Sequence, residues 1–279
     1  MAIGTLYIVA TPIGNLNDIT LRAIEVLREV SIIAAEDTRH SKKLLQHYGI
    51  DTKLMAVHEH NERDKIQLLK SHLEKGESLA LISDAGTPLI SDPGFPLVRS
   101  LRESGFNIVA IPGACAAIAA LSIAGLPTDR FCFEGFLPSK QQARRARLES
   151  LSCVDATLVF YESPKRIVAA LEDVISVMGS ERTVAVAKEI TKAFETVKTA
   201  AAGEVLSWLK ASDNHRRGEF VLMLSGAPSH EVHIDAKVLR SIEMAKQFMP
   251  LKKACALVSE LTGVAKNQLY DAALNQDRG

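Results

Sequence analysis

Leu81-Ile-Ser-Asp-Ala-Gly-Thr-Pro-Leu-Ile-Ser-Asp-Pro-Gly-Phe95 carries the strongest structural signal in the chain. The apolar run Ser78–Ile82 reads as a buried strand, and it breaks into a loop holding Asp84, Gly86, Pro88, Asp92, Pro93 and Gly94. Proline removes backbone donors and glycine supplies φ values that other residues avoid, so the loop continues neither as strand nor as helix. It therefore exposes amides and carbonyls beyond a strand end, where open α/β sheets place their ligands. It is not a phosphate loop, because no Lys-Ser or Lys-Thr follows its last glycine and GxGxxG spacing is absent. A ligand-free crossover from strand to helix is the competing reading.

The sequence on either side repeats the same alternation. Leu6–Ala10 predicts a strand and Leu21–Val30 a helix; Ile32–Ala35 predicts the next strand and Ser41–Tyr48 a helix stopped by Gly49. Leu54–Val57 predicts a third strand, and Asn61 a cap for a helix through Glu74, with Gly76 as its stop. Beyond Ser78–Ile82 come a helix through Arg102 and the strand Asn107–Ile111. Short connections between alternating strands and helices argue for a mostly parallel sheet. Pro112-Gly113 opens a small-residue helix, Ala114–Ala124, which Gly125-Leu-Pro127 closes; a domain hinge is expected there.

The second half predicts the strand Phe131–Phe136, a basic helix Lys140–Leu148, the strand Ala156–Tyr161, a helix Pro164–Met178 and the strand Thr183–Lys188. Phe194–Thr199 and Phe220–Leu224 follow as antiparallel or mixed strands. Past Pro228–Asp235 the chain reads as a helical module, in which Lys252–Leu261, Thr262-Gly-Val264 and Ala265–Leu274 have helix-turn-helix spacing. An ordinary helical hairpin has the same pattern. The expected class is α/β: two α/β domains over residues 1–113 and 114–229, and a helical extension over 230–279.

Bulk composition narrows the options. At 279 residues, 47% apolar and 24% charged, the chain has room for two ordinary cores. Its formal net charge is zero, so a nucleic-acid partner would be held by a local basic patch. Cys115, Cys132, Cys153 and Cys255 lie far apart with no metal-ligand spacing, which predicts free thiols, a cytoplasmic setting and no metal. No apolar run reaches the roughly 18 residues a membrane span needs, and no basic segment precedes the first apolar stretch.

Five segments together resemble the ribosomal small-subunit methyltransferase I family, within the tetrapyrrole methylase (class III methyltransferase) fold. They are Tyr7-Ile-Val-Ala-Thr-Pro-Ile-Gly-Asn-Leu16, Ala35-Glu-Asp-Thr-Arg39, the Ser83–Gly94 loop, Ile111-Pro-Gly-Ala114 and Tyr161-Glu-Ser-Pro-Lys-Arg166, in the family's order. The resemblance implies an S-adenosylmethionine-dependent enzyme that methylates the ribose 2′-hydroxyl of a cytidine in 16S rRNA of the 30S subunit. It also implies two α/β domains with the methyl donor in the cleft between them, and a homodimer.

S-adenosylmethionine carries a sulfonium, a carboxylate and an adenine but no phosphate, so its pocket needs exposed backbone and apolar walls. Pro12 and Gly14, after the first strand, and Asp84, Ala85, Gly86, Thr87, Leu89 and Ile90, in the loop, suit that role. By resemblance, Ala114, Cys115, Ala116, Tyr161 and Ser225-Gly226-Ala227-Pro228 close the pocket from other sides. A ribose hydroxyl is a poor nucleophile and must be aligned and relieved of its proton. Candidate groups are Glu36 and Asp37 at the end of the second strand, and Lys188 and Glu189 at the end of Thr183–Lys188; each has an equal reading as an ion-pair partner. Arg39, Lys42, Arg144, Arg145, Arg147, Lys165 and Arg166 are candidates for RNA phosphates, although a charge run is often only a solvated face. Two alternatives stay open: the same fold acting on a tetrapyrrole or a modified histidine, and a non-enzymatic nucleic-acid-binding protein.

Overall fold

The computed structural model describes residues 3–58, 61–227, 234 and 236–276. The chain forms two units, 1–227 and 228–279. The first holds two five-stranded sheets. In the N-terminal sheet, β1 (Thr5–Val9), β2 (Ile32–Ala35), β3 (Lys53–Ala56), β4 (Leu79–Ile82) and β5 (Asn107–Ile111) lie in the order β3-β2-β4-β1-β5. Every pairing is parallel. Parallel neighbours need helical crossovers, here α1 (Leu21–Glu29), α2 (Thr38–His47), α3 (Glu62–Glu74) and α4 (Phe95–Glu103).

Period-2 alternation sends successive side chains into two separate cores. Leu6, Ile32, Ala34, Leu79 and Leu81 face one, with Leu69, Leu97 and Leu101; Val9, Ile33, Ala35, Ala80 and Ile82 face the other, with Ala23, Leu27 and Leu45. A sheet buried on both faces explains why its strands read as continuous apolar runs. Local chemistry sets the helix starts. The Thr20 hydroxyl accepts from the Ala23 N–H at 3.1 Å, and the Asp37 carboxylate accepts from the Arg39 N–H at 2.8 Å. Asn61 precedes α3 but does not cap it: its Oδ1 accepts from the His58 N–H at 2.9 Å and its Nδ2 donates to the Ala56 carbonyl at 3.2 Å.

After α5 (Ala116–Ile123), the second sheet comprises β6 (Phe131–Phe136), β7 (Thr157–Glu162), β8 (Thr183–Lys188), β9 (Thr196–Ala201) and β10 (Phe220–Leu224), in the order β6-β7-β10-β8-β9. Only the β6–β7 pair is parallel, so the sheet is mixed, as its sequence predicts. One face packs on α5 through Ala117, Ala120 and Leu121. The other packs under α6 (Gln141–Leu151), α7 (Ile167–Met178) and α8 (Ala202–Ala211), around Leu148, Phe160, Leu171, Val205 and Leu222. The sequence reading missed α8 and ended β9 two residues early.

The second unit contains α9 (Ala236–Lys246), α10 (Leu251–Thr262) and α11 (Lys266–Gln276) around Val238, Ile242, Cys255, Val258 and Leu269. Gly263, at φ 74°, ends α10 in the left-handed region that the tight turn requires. The helix-turn-helix spacing predicted from sequence is present. No helix among the described residues is long and apolar enough to cross a membrane, and all four cysteines are free thiols.

Candidate functional site

Because β1 to β5 are parallel, the loops that follow them share one edge of the sheet. Two of these loops are tied together by backbone. The Thr11 N–H donates to the Gly86 carbonyl at 2.9 Å, and the Gly86 N–H returns the bond to Thr11 at 3.0 Å. The buried Thr11 hydroxyl donates to the Ser83 carbonyl at 3.3 Å. A third loop joins through the Thr87 hydroxyl, which donates to the Ala114 carbonyl at 3.1 Å. Gly86 takes φ 80°, and Leu89 and Ser91 take φ 72° and 67° with no glycine to relieve them. Such conformations cost on the order of 1–3 kcal/mol each and persist where the surroundings impose them.

These loops form one wall of a cleft of about 500 Å³, a size that suits a nucleoside-sized ligand. Ile13, Glu36, Asp84–Thr87 and Ile90–Asp92 line this side, and Cys115 and Ala116, at the start of α5, line it too. Phe136, Tyr161–Pro164, Ile190 and Glu219–Val221 line it from the second sheet. The Tyr161 hydroxyl accepts from the Ala117 N–H at 3.2 Å, and its ring meets Phe133 edge-on at 4.9 Å. Burial, with the nearby Cys115, pushes the Tyr161 phenol up to about 12, so it stays protonated.

The N-terminal wall is acidic. Burial raises the pKa of Glu36, and the carboxylates of Asp84, Asp92 and Asp37 add to the rise. Asp92 is also raised, chiefly by burial and further by Asp84, against a hydrogen bond from Ser83. Carboxylates this close repel one another and favour a cation among them. Small residues and exposed backbone at Ala85, Gly86 and Ala116, apolar sides at Ile13, Ile190 and Val221, and three carboxylates make a chamber that fits a sulfonium-bearing nucleoside.

Of the donor-site residues expected from sequence, the cleft collects Asp84, Ala85, Gly86, Thr87, Ile90, Cys115, Ala116 and Tyr161. Pro12 and Gly14 flank the lining residue Ile13, and Gly14 lies against the Lys192 side chain, so close that a methyl there would fall 2.6 Å from Lys192 Cγ. Leu89 turns into the first core, and Ala114 contributes only its carbonyl to the Thr87 bond.

Ser225, Gly226 and Ala227 are a correction. β10 runs antiparallel to β7 and β8, so its first residues, Glu219–Val221, reach the cleft and its last residues leave at the opposite edge. There the Ser225 N–H donates to the Thr183 carbonyl and the Ala227 N–H to that of Val154. Pro228 lies outside the described residues.

The four candidate proton acceptors separate as well. Only Glu36 lines the cleft. Asp37 caps α2 and pairs with Arg39, whose hydrogen bond lowers its pKa to about 2. Lys188 is buried at the end of β8, outside the lining. Burial would raise Glu189, but its hydrogen bonds with Lys192 and the Glu219 N–H outweigh that and hold it low. Glu189 is therefore tied into an ion pair with Lys192 and lies outside the lining of the cleft.

The basic candidates need a further correction. Arg144 does not face solvent: it is buried, its guanidinium meets Asp173 at 2.7 Å, and it donates to the Ser139 and Pro138 carbonyls at 3.2 and 3.4 Å. The 3.6-residue period of α6 turns that position inward. Arg145 is half-exposed and shares Asp173 at 2.7 Å; Arg147 pairs with Glu134. Arg166 is held by Glu162 and the Leu137 carbonyl, while Arg39, Lys42 and Lys165 are exposed. Asp92, Phe136, Ile190 and Glu219–Val221 belong to the cleft but were not singled out from sequence. Asp92 had the signal of sitting in the decisive loop.

Known proteins resemble this chain over most of its length. Residues 5–206 match the family model Tetrapyrrole (Corrin/Porphyrin) Methylases, and residues 232–277 match the RsmI C-terminal HTH domain. The chain is 53% identical over 273 residues to Ribosomal RNA small subunit methyltransferase I of Escherichia coli O157:H7, covering 98% of this chain and 96% of that protein. Its Pseudomonas aeruginosa counterpart is 52% identical over 278 residues, covering 99% of both. Among solved structures, the methyltransferase CobJ superposes with TM-score 0.60 at 18% identity, covering 80% of this chain and 95% of that one. Uroporphyrin-III C-methyltransferase from Thermus thermophilus, complexed with S-adenosyl homocysteine, does so with TM-score 0.54 at 19% identity, covering 80% and 97%. At such identities the likeness is one of fold alone.

Proposed function

Since the chain belongs to the tetrapyrrole methylase family, and within it to the ribosomal RNA small subunit methyltransferase I group, we propose that it methylates the ribose 2′-hydroxyl of a cytidine in 16S rRNA. The coarser part of that statement, an S-adenosylmethionine-dependent methyltransferase of small-subunit rRNA, follows from membership. The observation that carries it is likeness at about half of all positions across nearly the whole chain, covering both the cleft-bearing unit and the helical one. The finer statement rests on how the cleft suits that chemistry.

S-adenosylmethionine, when bound, supplies an electrophilic methyl on a sulfonium cation. The Ala85–Thr87 backbone, Cys115, Ala116, Ile190 and Val221 would hold it, and the acidic wall favours its cationic centre. The remaining task is to present a weakly acidic hydroxyl in line and accept its proton late in the transition state. We assign that role to Glu36, which lines the cleft and whose raised pKa makes it a better acceptor than an ordinary carboxylate. Asp92 shares the wall, its pKa raised chiefly by burial and further by Asp84.

The test is transfer of labelled methyl from S-adenosylmethionine to purified 30S subunits, with free 16S rRNA alongside. RNase-sensitive label in either substrate is the expected result. Tight donor binding without label in RNA would contradict the proposed acceptor, and absence of donor binding would contradict the whole reading.

A further inference from the structure

We propose that Phe136 is the platform on which the acceptor nucleobase stacks; the inference rests on the RNA-methylating function proposed above. A single exposed phenylalanine ordinarily needs no explanation. This one is 56% exposed, lines the cleft, and is the most exposed large apolar residue among those that do. Being exposed and in the lining at once, it is open to an acceptor embedded in a large RNA.

Its placement is built by the sequence. Between Phe133 and Gly135 the β6–β7 register slips, and Gly135 takes φ 67°. A bulge of this kind re-aims the side chain that follows it, here turning Phe136 onto the rim. Two arginines then hold the segment behind it. Arg166 donates to the Leu137 carbonyl, and Arg144 donates to those of Pro138 and Ser139. The ring meets Tyr161 edge-on, with centroids 5.8 Å apart and planes at 63°. Tyr161 is itself fixed by the Ala117 N–H.

The charge distribution supplies the orientation. Glu36, Asp84 and Asp92 line the N-terminal wall, which repels phosphate but accepts hydrogen bonds from ribose hydroxyls. Exposed Lys140 follows Phe136 in the chain, and exposed Lys165 adjoins Pro164 of the lining. A nucleotide whose ribose meets the acids of one wall presents its base to the aromatic ring of the other. Stacking of this kind tolerates any base, so Phe136 supplies position, and sequence choice falls to other contacts.

The test compares Phe136→Ala, Phe136→Leu and Phe136→Trp in steady-state methylation of 30S subunits, with the donor Kd measured by calorimetry. The expected result is an acceptor KM raised about 5- to 100-fold in Phe136→Ala and similarly in Phe136→Leu, near-normal values in Phe136→Trp, and an unchanged donor Kd throughout. Activity of Phe136→Leu equal to the unmodified protein would overturn the platform, because an apolar chain without a π face would then suffice. A weakened donor Kd in Phe136→Ala would overturn it too, by placing the ring in the donor pocket. Absence of RNA methylation by the unmodified protein would instead refute the function, and the platform with it.

Discussion

Replacing Asp173 by alanine tests how the basic helix is used. Asp173 is fully buried on α7 and accepts from Gln141 at 3.0 Å and from Arg144 and Arg145 at 2.7 Å each. Arg144 is 4% exposed, so Asp173→Ala leaves a buried guanidinium hydrogen-bonded to the Pro138 and Ser139 carbonyls but without its close carboxylate. Breaking a buried pair in this way costs about 3–5 kcal/mol. For a chain of this size each kcal/mol lowers Tm by roughly 2–4 °C, so the expected drop is about 6–20 °C. Arg145→Ala removes a half-exposed partner and should cost about 1 kcal/mol or less after solvent screening. The Asp173 carboxyl is held below its ordinary 3.8 because the hydrogen bonds from Arg145, Gln141 and Arg144 outweigh the cost of burial. Its stabilisation is therefore present above pH 3.8 and lost as pH falls through the lower folded value, so variant and parent should converge in acid. The assay is thermal unfolding at neutral and acid pH, together with the salt dependence of 30S binding for Arg144→Ala. An Asp173→Ala variant melting within about 2 °C of the parent would refute the reasoning. So would an Arg144→Ala variant of unchanged Tm whose binding slope against log salt fell by about one, the signature of a lost phosphate contact.

Gly86→Ala should lower Tm by about 2–8 °C: φ 80° costs an L-residue roughly 1–2 kcal/mol in the free and the donor-bound protein alike, and the added methyl falls 3.3 Å from Ile13 Cγ2. Thermal unfolding reads that change, and calorimetric titration with S-adenosylhomocysteine reads donor binding. The antiparallel course of β10 predicts that Val221→Asp weakens the same titration while Ser225→Ala leaves it unchanged; the reverse order would contradict the placement of the cleft. Glu36→Gln should lower methyl transfer at least 100-fold if the carboxylate accepts the proton. It should also raise Tm at pH 7, because a carboxyl with a raised folded pKa destabilises the native state once ionised; the gain should vanish below the ordinary Glu value near 4.5.

The parallel sheet and the decisive loop were legible because buried strands and Gly/Pro-rich breaks leave local signals. Ile32–Ala35, Asn107–Ile111, Phe131–Phe136 and Thr183–Lys188 fall where the sequence places them. What was not legible depends on direction and depth. Nothing in Phe220–Leu224 says that its first residues, and not its last, meet the cleft; that is set by pairing with strands some 30 and 60 residues upstream. Arg144 and Arg145 are identical as letters, and only packing against Asp173 makes one an interior ion and the other half-exposed. Asn61 carries the composition of a cap, yet its side chain turns back to His58 and Ala56. The tally of acids was legible too, but the convergence of Glu36, Asp84 and Asp92 on one wall follows from strand order alone.

The most direct measurement is the chemical identity of the modified nucleoside. 30S subunits lacking the modification are treated with the protein and S-adenosylmethionine, and the 16S rRNA is digested for mass spectrometry. A single new product, 2′-O-methylcytidine, is expected, and it disappears with Glu36→Gln. A methyl group on a base, or on the ribose of another nucleoside, would contradict it.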